Sequence, residues 1–598
     1  MRPPSPTVPP GLRGANWFAD GSVLFCPVEA GPVTDATWDA AAAGLGRILP
    51  PGLPAGGLPR PADRAEAVEI LAATICAWAG LAPVPHVRSP LGQERRNLAA
   101  LWPGCPPLTR HAFGLASELL GPGGVPPDAE GARRAALLAL RADSDGWLRS
   151  SRRYLYQAAE RRGLAFLLRT PSGVVCQIGE GRHGRLYDAT ASERTAQSAV
   201  QLAGNKRLAN AALAQAGIPV ARQRTILSLE AARRALAELG LPMVVKPEDE
   251  RRQAGVGFVF RPEDLEPVFT ASRAVSKDLV AESYIPGIEH RVLVIDGRIA
   301  HVVAGDAAFV IGDGRSSVAE LVAAVNADRN RGTRDQGFRL SPIPVDALAL
   351  RHLVTQGLAP GDVPAAGRRV EVHPLPMMRF GAGWKTDATE RIHPDTAALA
   401  LRAVAVLGLD IAGVDLRTPD IGRSWKEVGA GLCEVNPQPS LTVHYNFAEK
   451  PVHGAADLLL DARFPPDREH HMTHVAIVGD GDLWPAAEAV AATLRRRHGW
   501  RVGIASASRI DLEGWEGTAP GPRPFDRYLV MAVDPTLDAA VHILRPVEIE
   551  RHGLGCRRLA EARIEPGLQL PRWRVARIRQ TLAASGARIV PLENPGGG

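Results

Sequence analysis

The sequence predicts a multidomain α/β protein. At 598 residues the chain is long enough for three or four domains, each with its own hydrophobic core. Hydrophobic residues make up 45% of the chain and charged residues 22%, which is typical of a folded globular protein. From about residue 165 onward, short apolar runs alternate with helical patterns, and this alternation predicts strands and helices in α/β order.

Changes in composition divide the chain into three predicted domains. Residues 1–160 are rich in Ala, Pro and Gly, and their helical stretches at 65–78 and 132–140 belong to a predicted N-terminal α/β domain. Residues 161–465 carry the alternating pattern and the motifs with chemistry. Residues 466–598 open with a new buried-strand run and predict a further α/β module.

The composition also bears on partners and location. No stretch approaches the roughly 18 apolar residues of a membrane span, and the N-terminus lacks the apolar run of a signal peptide. The net charge of +6 is spread over the chain rather than concentrated, so we expect no nucleic-acid partner. The six cysteines show no paired spacing, which predicts reduced thiols and a cytoplasmic location.

Five short segments set the frame of the central domain. Residues 241–247 and 279–283 have the pattern of buried strands. Residues 290–299 predict a strand followed by a hairpin turn at Asp-Gly. Residues 409–416 and 431–436 predict an antiparallel pair near the end of the domain.

Two lysines are candidates for holding a polyphosphate, as an enzyme that activates a carboxylate with ATP requires. Lys206 opens a predicted helix in Gly-Asn-Lys-Arg-Leu-Ala, and Lys246 ends a buried strand. Lysine is scarce, with six among 70 basic residues. Chance would therefore put lysine at both positions only roughly once in a hundred, and a compact ammonium is not interchangeable with arginine there.

Candidate adenosine contacts follow along the chain. Glu282 lies on a strand that leads into Tyr-Ile-Pro-Gly at 284–287, where the backbone around Ile285 can meet an adenine edge. Seven residues after Glu282, the carboxylate of Glu289 is a candidate acceptor for the ribose hydroxyls. The sequence therefore predicts an adenosine site at these three residues.

Three oxygen-bearing side chains are candidate ligands for Mg²⁺, which prefers such ligands. They are Asp415, Glu434 and Asn436. Glu434 and Asn436 alternate along one strand, so both point to the same face. Asp415 alone would more often be an ordinary strand-end acid than a metal ligand. The ordered set of lysines, acids and amide is what predicts a nucleotide and Mg²⁺ site.

The order of these motifs resembles the ATP-grasp superfamily and, within it, the cyanophycin synthetase family. The likeness is specific over residues 165–465 and weaker before them. It rests on Asn-Lys at 205–206, Val-Lys-Pro at 245–247, Glu-Ser-Tyr-Ile-Pro-Gly-Ile-Glu-His-Arg-Val at 282–292, Gly-Asp-Gly-Arg-Ser-Ser at 312–317, Ile-His-Pro at 392–394 and Glu-Val-Asn at 434–436.

The resemblance implies a tripartite enzyme with an N-terminal domain, an ATP-grasp amide ligase and a C-terminal Mur-ligase-like module. In that family the ATP-grasp part extends an aspartate backbone through an acyl phosphate, and the Mur-like part attaches arginine to the side chain. It implies ATP and Mg²⁺ as cofactors and an amino acid or peptide as substrate. It also places Arg291 and His444 as weaker candidates for contacting the substrate.

The C-terminal module departs from the family at its phosphate loop. Where the family has Gly-Thr-Asn-Gly-Lys-Thr, the chain has Leu483 at the lysine position and Trp484 at the hydroxyl position. Asp480 and Asp482 add negative charge that would repel a polyphosphate. We therefore expect residues 466–598 to be a degenerate, truncated Mur-like remnant that serves structure and assembly without binding nucleotide.

The ATP-grasp domain departs from the family as well. Three arginines of the family appear here as Gly305, Ala388 and Thr442. Loss of a buried charge partner can cost roughly 2–5 kcal/mol. Arg379 and Lys385 are the candidates to replace these missing cations.

The sequence therefore predicts an ATP- and Mg²⁺-dependent carboxylate–amine ligase with one working site. The alternative is a catalytically impaired pseudo-subunit, which would scaffold or regulate an intact synthetase within a homo- or hetero-oligomer. A third, weaker possibility is a ligase repurposed for another peptide. ATP turnover with amino acids would favour the first, whereas ATP binding without turnover, together with a stable complex with an intact synthetase, would favour the second.

Overall fold

A computed structural model shows two compact units. Unit 1 contains Met1–Arg149, Tyr156–Leu186 and Pro466–Gly598, and unit 2 contains Ser150–Leu155 and Tyr187–Pro465. The domain boundaries given by the sequence remain predictions. The structure describes residues 23–29, 32–49, 58–78, 86–89, 95–101, 106–147, 150–169, 175–248, 255–328, 331–332, 340–375, 381–383, 385–445, 454–518 and 520–592.

The N-terminal part of unit 1 combines an antiparallel sheet with helices. The sheet has the order β1-β3-β2. Leu45, Leu71 and Ile75 lie at the centre of the helical core. The helices that the sequence predicts at 65–78 and 132–140 are confirmed within α2 and α4. The described elements are β1 (Val23–Glu29), α1 (Asp35–Ile48), α2 (Arg64–Trp78), β2 (His86–Ser89), β3 (Arg95–Leu101), α3 (Pro106–Leu119) and α4 (Pro127–Trp147).

A helix and four short strands follow. The first two strands pair with each other in antiparallel fashion, and so do the last two. Leu167 on the first strand is buried in an apolar core of unit 1. The elements are α5 (Ser150–Arg161), β4 (Phe166–Leu168), β5 (Val175–Ile178), β6 (Arg185–Asp188) and β7 (Ala191–Ser192).

Unit 2 is built on two antiparallel sheets and a two-stranded ribbon. The elements are α6 (Gln197–Gly204), α7 (Lys206–Gln215), β8 (Gln223–Thr225), α8 (Leu229–Leu239), β9 (Met243–Pro247), β10 (Gly257–Val259), α9 (Leu265–Val275), β11 (Leu279–Ser283), β12 (Ile288–Ile295), β13 (Arg298–Gly305), β14 (Ala308–Ile311), α10 (Val318–Asn326), α11 (Ala347–Thr355), β15 (Arg369–His373), β16 (Thr386–Asp387), α12 (Pro394–Val406), β17 (Ile411–Thr418), α13 (Trp425–Val428), β18 (Gly431–Asn436) and α14 (Ala455–Asp461).

The strand order of unit 2 confirms the segments that the sequence predicts. The four-stranded sheet has the order β10-β9-β11-β8, and the five-stranded sheet has the order β16-β13-β12-β17-β18. Strands β17 and β18 form the expected antiparallel pair. The β12–β13 hairpin turns at Asp296 and Gly297, which both have positive φ angles of 44° and 70°. A two-residue turn between right-twisted strands favours that conformation.

The five-stranded sheet has one apolar and one charged face because side chains alternate along each strand. Val292, Val294 and Val414 are buried on the apolar face, in a core shared with helices α7 and α12. The register places Arg291 opposite Asp415, and Asp415 opposite Glu434. The charged face therefore gathers residues from three strands that are distant in sequence.

The C-terminal part of unit 1 is a seven-stranded sheet with the order β22-β21-β20-β23-β19-β24-β25. Strands β20, β23, β19, β24 and β25 run parallel, and β21 and β22 extend the edge in antiparallel fashion. The elements are β19 (Thr473–Val478), α15 (Trp484–His498), β20 (Val502–Ala505), β21 (Ile510–Leu512), β22 (Trp515–Gly517), α16 (Pro524–Ala532), β23 (Ala539–Leu544), α17 (Pro546–His552), β24 (Glu561–Ile564), α18 (Arg572–Ala584) and β25 (Arg588–Pro591).

Alternate residues of β19 pack into different apolar cores. Ala476 and Val478 belong to one core, and Val475 and Ile477 belong to the other. A parallel sheet covered on both faces is the α/β arrangement that the sequence predicts for this region. The relation of this module to Mur ligases remains a prediction. Within the described part of the chain, no helix is long and apolar enough to cross a membrane.

Candidate functional site

Lys206 is the first residue of α7, where a helix offers unpaired backbone N–H groups. The preceding Asn205 caps this helix by accepting the N–H of Leu208 at 3.0 Å. Partial positive charge at a helix N-terminus and a lysine ammonium both favour an anion. Lys206 also lines a small pocket together with Cys433 and Glu434 of β18. The structure thus brings this predicted phosphate lysine to the predicted metal strand.

An open cleft lies beside the start of α7. It has a volume of about 480 Å³ and is lined by Gln201, Gly204, Asn205, Glu248 and Asp278. Gly204 and Asn205 immediately precede Lys206, so the cleft adjoins the phosphate position that the sequence predicts.

Lys246 and Glu282 form an ion pair on adjacent strands of the four-stranded sheet. The Nζ atom of Lys246 lies 2.5 Å from Oε1 of Glu282, and the two side chains are only 14% and 9% exposed. Gln223 also donates to Oε1 of Glu282. Burial lowers the pKa of Lys246, but the carboxylates of Glu282 and Glu434 raise it, and the net pKa is higher than usual. The predicted phosphate lysine and adenosine glutamate therefore meet directly.

Asp415, the first predicted metal ligand, is held from two sides. Arg291 on β12 donates to its carboxylate through Nε at 2.5 Å and through Nη2 at 2.9 Å. Asn436 on β18 donates its amide to Oδ2 at 3.1 Å. Two predicted metal ligands and one predicted substrate residue thus form one hydrogen-bonded group. A cation at Asp415 would share its carboxylate with a guanidinium.

Two further carboxylates surround Asp415 and have raised pKa values. Burial raises the pKa of Glu434, and the charge of Asp415 raises it further against the opposing effects of Lys206 and Lys246. Burial and Asp415 likewise raise the pKa of Glu289, although Lys385 lowers it. A divalent cation that prefers oxygen ligands would stabilise these crowded carboxylates in their ionised form. The residues present therefore fit Mg²⁺.

Cys433 directly precedes Glu434 at the point where the β17–β18 register shifts. Asp415 pairs with Glu434, whereas Leu416 pairs with Leu432, which leaves Cys433 as the extra residue of a bulge. Bulges redirect side chains and are common beside functional sites. The bulge lets Glu434 and Asn436 lie on the charged face while Leu432 remains in the core.

Ile285 lies in the connection between β11 and β12 and packs closely on β18. A Cβ atom added at Gly431 would come within 2.7 Å of Cδ1 of Ile285. Arg417 fixes the same connection by donating to the hydroxyl of Tyr284 at 3.0 Å and to the carbonyl of Gly287 at 2.6 Å. The predicted adenine-contacting segment is therefore anchored to the two strands that carry the acids.

Lys385 takes the space that a side chain at position 305 would need. Strands β13 and β16 pair with Ala304 opposite Thr386, which puts Lys385 beside Gly305. A Cβ atom at Gly305 would collide with Nζ of Lys385. Burial lowers the pKa of Lys385, while Glu289 and Asp415 raise it. A cation therefore stands near the place where the family has an arginine.

The positions of the other two replaced arginines have different surroundings. Ala388 is part of the apolar core of unit 2. The Thr442 hydroxyl is buried without a hydrogen-bond partner among the described residues. Arg379, the other candidate replacement, lies outside the described residues.

His444 is fully buried and bonded to a second histidine. Its Nδ1 lies 2.9 Å from Nδ1 of His301, and Nε2 of His301 lies 3.5 Å from Asp387. Burial, reinforced by His301 and Arg291, lowers the pKa of His444 well below its usual value. His444 is therefore a neutral side chain, and its contact with substrate remains a prediction.

Sequence reasoning missed several members of this group. Arg417 follows Asp415 by two residues on one strand, so strand alternation could have placed it on the charged face. Gln223 and His301 join the group through strand pairing, which no local motif reveals.

The loop after β19 in unit 1 is arranged differently from a phosphate site. The backbone N–H groups of Asp480 and Gly481 point to Oε2 of Glu565, at 2.9 and 3.4 Å. Leu483 is buried in the apolar core, and Trp484 donates its indole N–H to Glu488 at 2.8 Å. The residues at the lysine and hydroxyl positions thus have structural contacts of their own.

Comparison with known proteins finds no matching family model. The chain is 30% identical over 416 residues to the cyanophycin synthetase of Nostoc sp. The aligned region covers 69% of this chain and 45% of the relative. The chain is 33% identical over 270 residues to the glutathione biosynthesis bifunctional protein GshAB of Streptococcus thermophilus, covering 44% of this chain and 35% of that protein.

Among solved structures, the bifunctional glutathione synthetase from Pasteurella multocida aligns with a TM-score of 0.37 and 21% identity, covering 60% of this chain and 50% of that one. The chain spans about half the length of the cyanophycin synthetases that it matches. Over the two thirds of its length that match them, the chain belongs to the cyanophycin synthetase family.

Proposed function

We propose that the chain is an ATP- and Mg²⁺-dependent carboxylate–amine ligase with one nucleotide site, in unit 2. One observation carries the proposal. Lys206 and Lys246 both act electrostatically on Glu434, which is itself paired in register with Asp415. Two cations for phosphates and two acids for a metal ion thus converge from four distant segments. The names of the matched relatives, cyanophycin synthetase and glutathione biosynthesis protein, support the same class of reaction.

The proposed roles follow from the positions of the side chains. Lys206 and Lys246 hold the phosphates, and Glu282 with the backbone around Ile285 holds the adenosine. Asp415, Glu434 and Asn436 hold Mg²⁺, which would neutralise charge on the phosphates. Each of the three needs of the reaction, namely phosphate, adenosine and metal binding, thus has its own proposed group of residues.

Glu289 remains the proposed acceptor for the ribose hydroxyls, and its carboxylate is also influenced by the charges of the proposed metal site. Its pKa is raised by burial and by Asp415, and Lys385 and Arg291 are among the cations that oppose this effect. A carboxylate in such a cluster lies with the charged groups of the reaction centre. We therefore propose that Glu289 binds the ribose where the nucleotide approaches the metal site.

The reaction we propose has two steps. An oxygen of the substrate carboxylate attacks the γ-phosphorus of ATP, which forms an acyl phosphate and releases ADP. An amine then attacks the acyl carbon, which forms the amide and releases inorganic phosphate. Arg291 and Lys385 are the cations placed to hold a substrate carboxylate beside Asp415. Holding both reactants in position supplies much of the rate of such transfers.

The substrate class we propose is an amino acid or a short peptide, as for the family. Aspartate and arginine are the first compounds to test. We also propose a cytoplasmic location and an oligomeric state, formed with further copies of the chain or with an intact synthetase. The scattered cysteines of the sequence support the location.

The test is amino-acid-dependent release of ADP. The full chain is incubated with ATP and Mg²⁺ in the presence of aspartate, arginine or short peptides of the two. The products are identified by mass spectrometry. We expect ADP, phosphate and an amide, and no insoluble arginine-bearing polymer from this chain alone. Nucleotide binding without ADP release in any mixture would contradict the ligase and favour the impaired subunit.

A further inference from the structure

The C-terminal part of unit 1 brings two histidines and one cysteine to one buried point. His474 on β19 and His542 on β23 project from the same face of the sheet, because these parallel neighbours pair His474 with Ala540 and Ala476 with His542. Cys556 follows α17 in the segment that leads to β24. One ligand atom from each of the three lies within 4.8 Å of the other two.

The distances are close to those of a tetrahedral metal site. Nδ1 of His474 lies 2.9 Å from Nε2 of His542. Zinc–nitrogen bonds of about 2.0–2.1 Å separate two tetrahedral ligand nitrogens by about 3.4 Å, so the rings need to part by about half an ångström. With a zinc–sulfur bond of about 2.3 Å the nitrogen–sulfur separation is about 3.5 Å, so the thiol moves by at most about 1.3 Å. Side-chain rotations alone can supply such shifts.

Glu180 holds His474 from the opposite side of the ring. Oε2 of Glu180 lies 3.2 Å from Nε2 of His474, and the hydroxyl of Tyr528 donates to Oε1 at 2.5 Å. When Nε2–H of His474 donates to Glu180, the lone pair of Nδ1 faces Nε2 of His542. A carboxylate behind the imidazole is the arrangement that orients histidines for metal binding.

The charge of the cluster also favours a cation. His474, His542 and Cys556 are only 3%, 2% and 1% exposed, and Glu180 is 7% exposed. Among the described residues, the ion-pair partner of Glu180 is the imidazole of His474 rather than a guanidinium or an ammonium. A buried carboxylate without a permanent cation is costly. A divalent ion with one thiolate and this carboxylate has no net charge.

We propose that His474, His542 and Cys556 bind a Zn²⁺ ion, with Glu180 as the residue that positions His474. Two imidazoles and one thiolate suit Zn²⁺ and are poor ligands for Mg²⁺ or Ca²⁺. The ion joins β19, β23 and the segment before β24, so its binding stabilises this part of unit 1. The site is separate from the proposed nucleotide site, whose ligands are oxygens.

The test uses the full chain stripped of metal with a chelator and then titrated with Co²⁺. We expect about one Co²⁺ per chain and a thiolate-to-cobalt charge-transfer absorption, which Zn²⁺ abolishes by displacement. Zn²⁺ should also raise the melting temperature, because it binds the folded state. Glu180→Gln should keep the absorption and weaken the affinity by about 10- to 100-fold.

Cysteine variants assign the ligand. Cys556→Ser should lose the charge-transfer absorption, whereas Cys176→Ser, a buried cysteine of the same unit, should keep it. Absence of the absorption in the native chain, or its survival in Cys556→Ser, overturns the proposal. The first result would leave a metal-free hydrogen-bond chain from Glu180 through His474 to His542. If Cys556→Ser does not fold, the Co²⁺ absorption of the native chain and of the Cys176→Ser and Glu180→Gln variants still tests the proposal.

Discussion

The carboxylate of Glu565 accepts the backbone N–H of Asp480 at 2.9 Å, in the loop between β19 and α15. A Cβ atom at Gly479 would collide with the same carboxylate, so the loop closes tightly around it. Backbone N–H groups in such loops are the usual ligands of phosphate. The backbone N–H groups of this loop therefore already have an acceptor in the side chain of Glu565.

The first prediction concerns the number of nucleotide sites. Because Glu565 occupies the loop and Leu483 stands at the lysine position, Glu565→Gln should leave nucleotide binding unchanged. Calorimetric titration with a non-hydrolysable ATP analogue and Mg²⁺ should give a stoichiometry of about one for the native chain and for this variant. Two sites per chain, or a change on replacing Glu565, would contradict the account.

The second prediction separates binding from stability at Lys246. Lys246→Ala should abolish analogue binding and destabilise unit 2 by about 3 kcal/mol, because Glu282 remains buried without its partner. Lys426→Ala is the matched control, since that lysine is 64% exposed. The double variant Lys246→Ala with Glu282→Gln should recover stability in thermal unfolding without recovering binding, and Glu282→Gln alone is the reference because Glu282 is itself a proposed adenosine contact. Binding that returned with stability would show that Lys246 has only a structural role.

The third prediction is a pH dependence set by Glu434 and Glu289. Both have raised pKa values, chiefly through burial and then through Asp415. Protons therefore compete with Mg²⁺ at pH values above the ordinary glutamate pKa of about 4.3. Mg²⁺-dependent nucleotide affinity should fall as the pH drops through this raised range. Glu434→Gln should flatten the profile, and an unchanged profile would refute the assignment.

The same groups predict an opposite trend in stability without metal. A carboxyl whose pKa is raised by folding stabilises the native state below its unfolded pKa, and that stability is lost as the pH rises through the folded pKa. The melting temperature of the native chain should therefore decline over this range relative to Glu434→Gln. Added Mg²⁺ and nucleotide should reduce the decline.

The fourth prediction tests whether Lys385 replaces the arginine that the family has at position 305. Lys385→Ala should raise the KM for the amino acid at least tenfold, which corresponds to about 1.4 kcal/mol of lost binding. Gly305→Arg should also impair activity, because the new side chain collides with Lys385. Combining the two changes should restore part of the activity. If the double variant loses as much activity as the two single changes together, Lys385 does not replace the arginine at position 305.

Much of the fold was predictable because it follows from local periodicity. The buried strands β9 and β11, the β12–β13 hairpin and the β17–β18 pair all appear as short apolar runs with turn residues between them. The same alternation put Glu434 and Asn436 on one face of β18.

The contacts that define the site were not predictable, since they depend on pairing between distant segments. Arg291 reaches Asp415 because β12 and β17 are in register, and Lys385 reaches Gly305 because β16 pairs with β13. Glu565 meets the loop after β19 because β24 is its parallel neighbour. A single sequence specifies residue types at these places without specifying which strands are adjacent.

We propose that unit 2 joins a carboxylate to an amine through an acyl phosphate. The most direct test supplies aspartate or its peptides with oxygen-18 in the carboxylates, together with ATP, Mg²⁺ and arginine. We predict that ADP forms together with inorganic phosphate that carries one oxygen from the substrate. Lys246→Ala should be inactive and Lys426→Ala active. Unlabelled phosphate, AMP with pyrophosphate, or no nucleotide turnover in any mixture would contradict it.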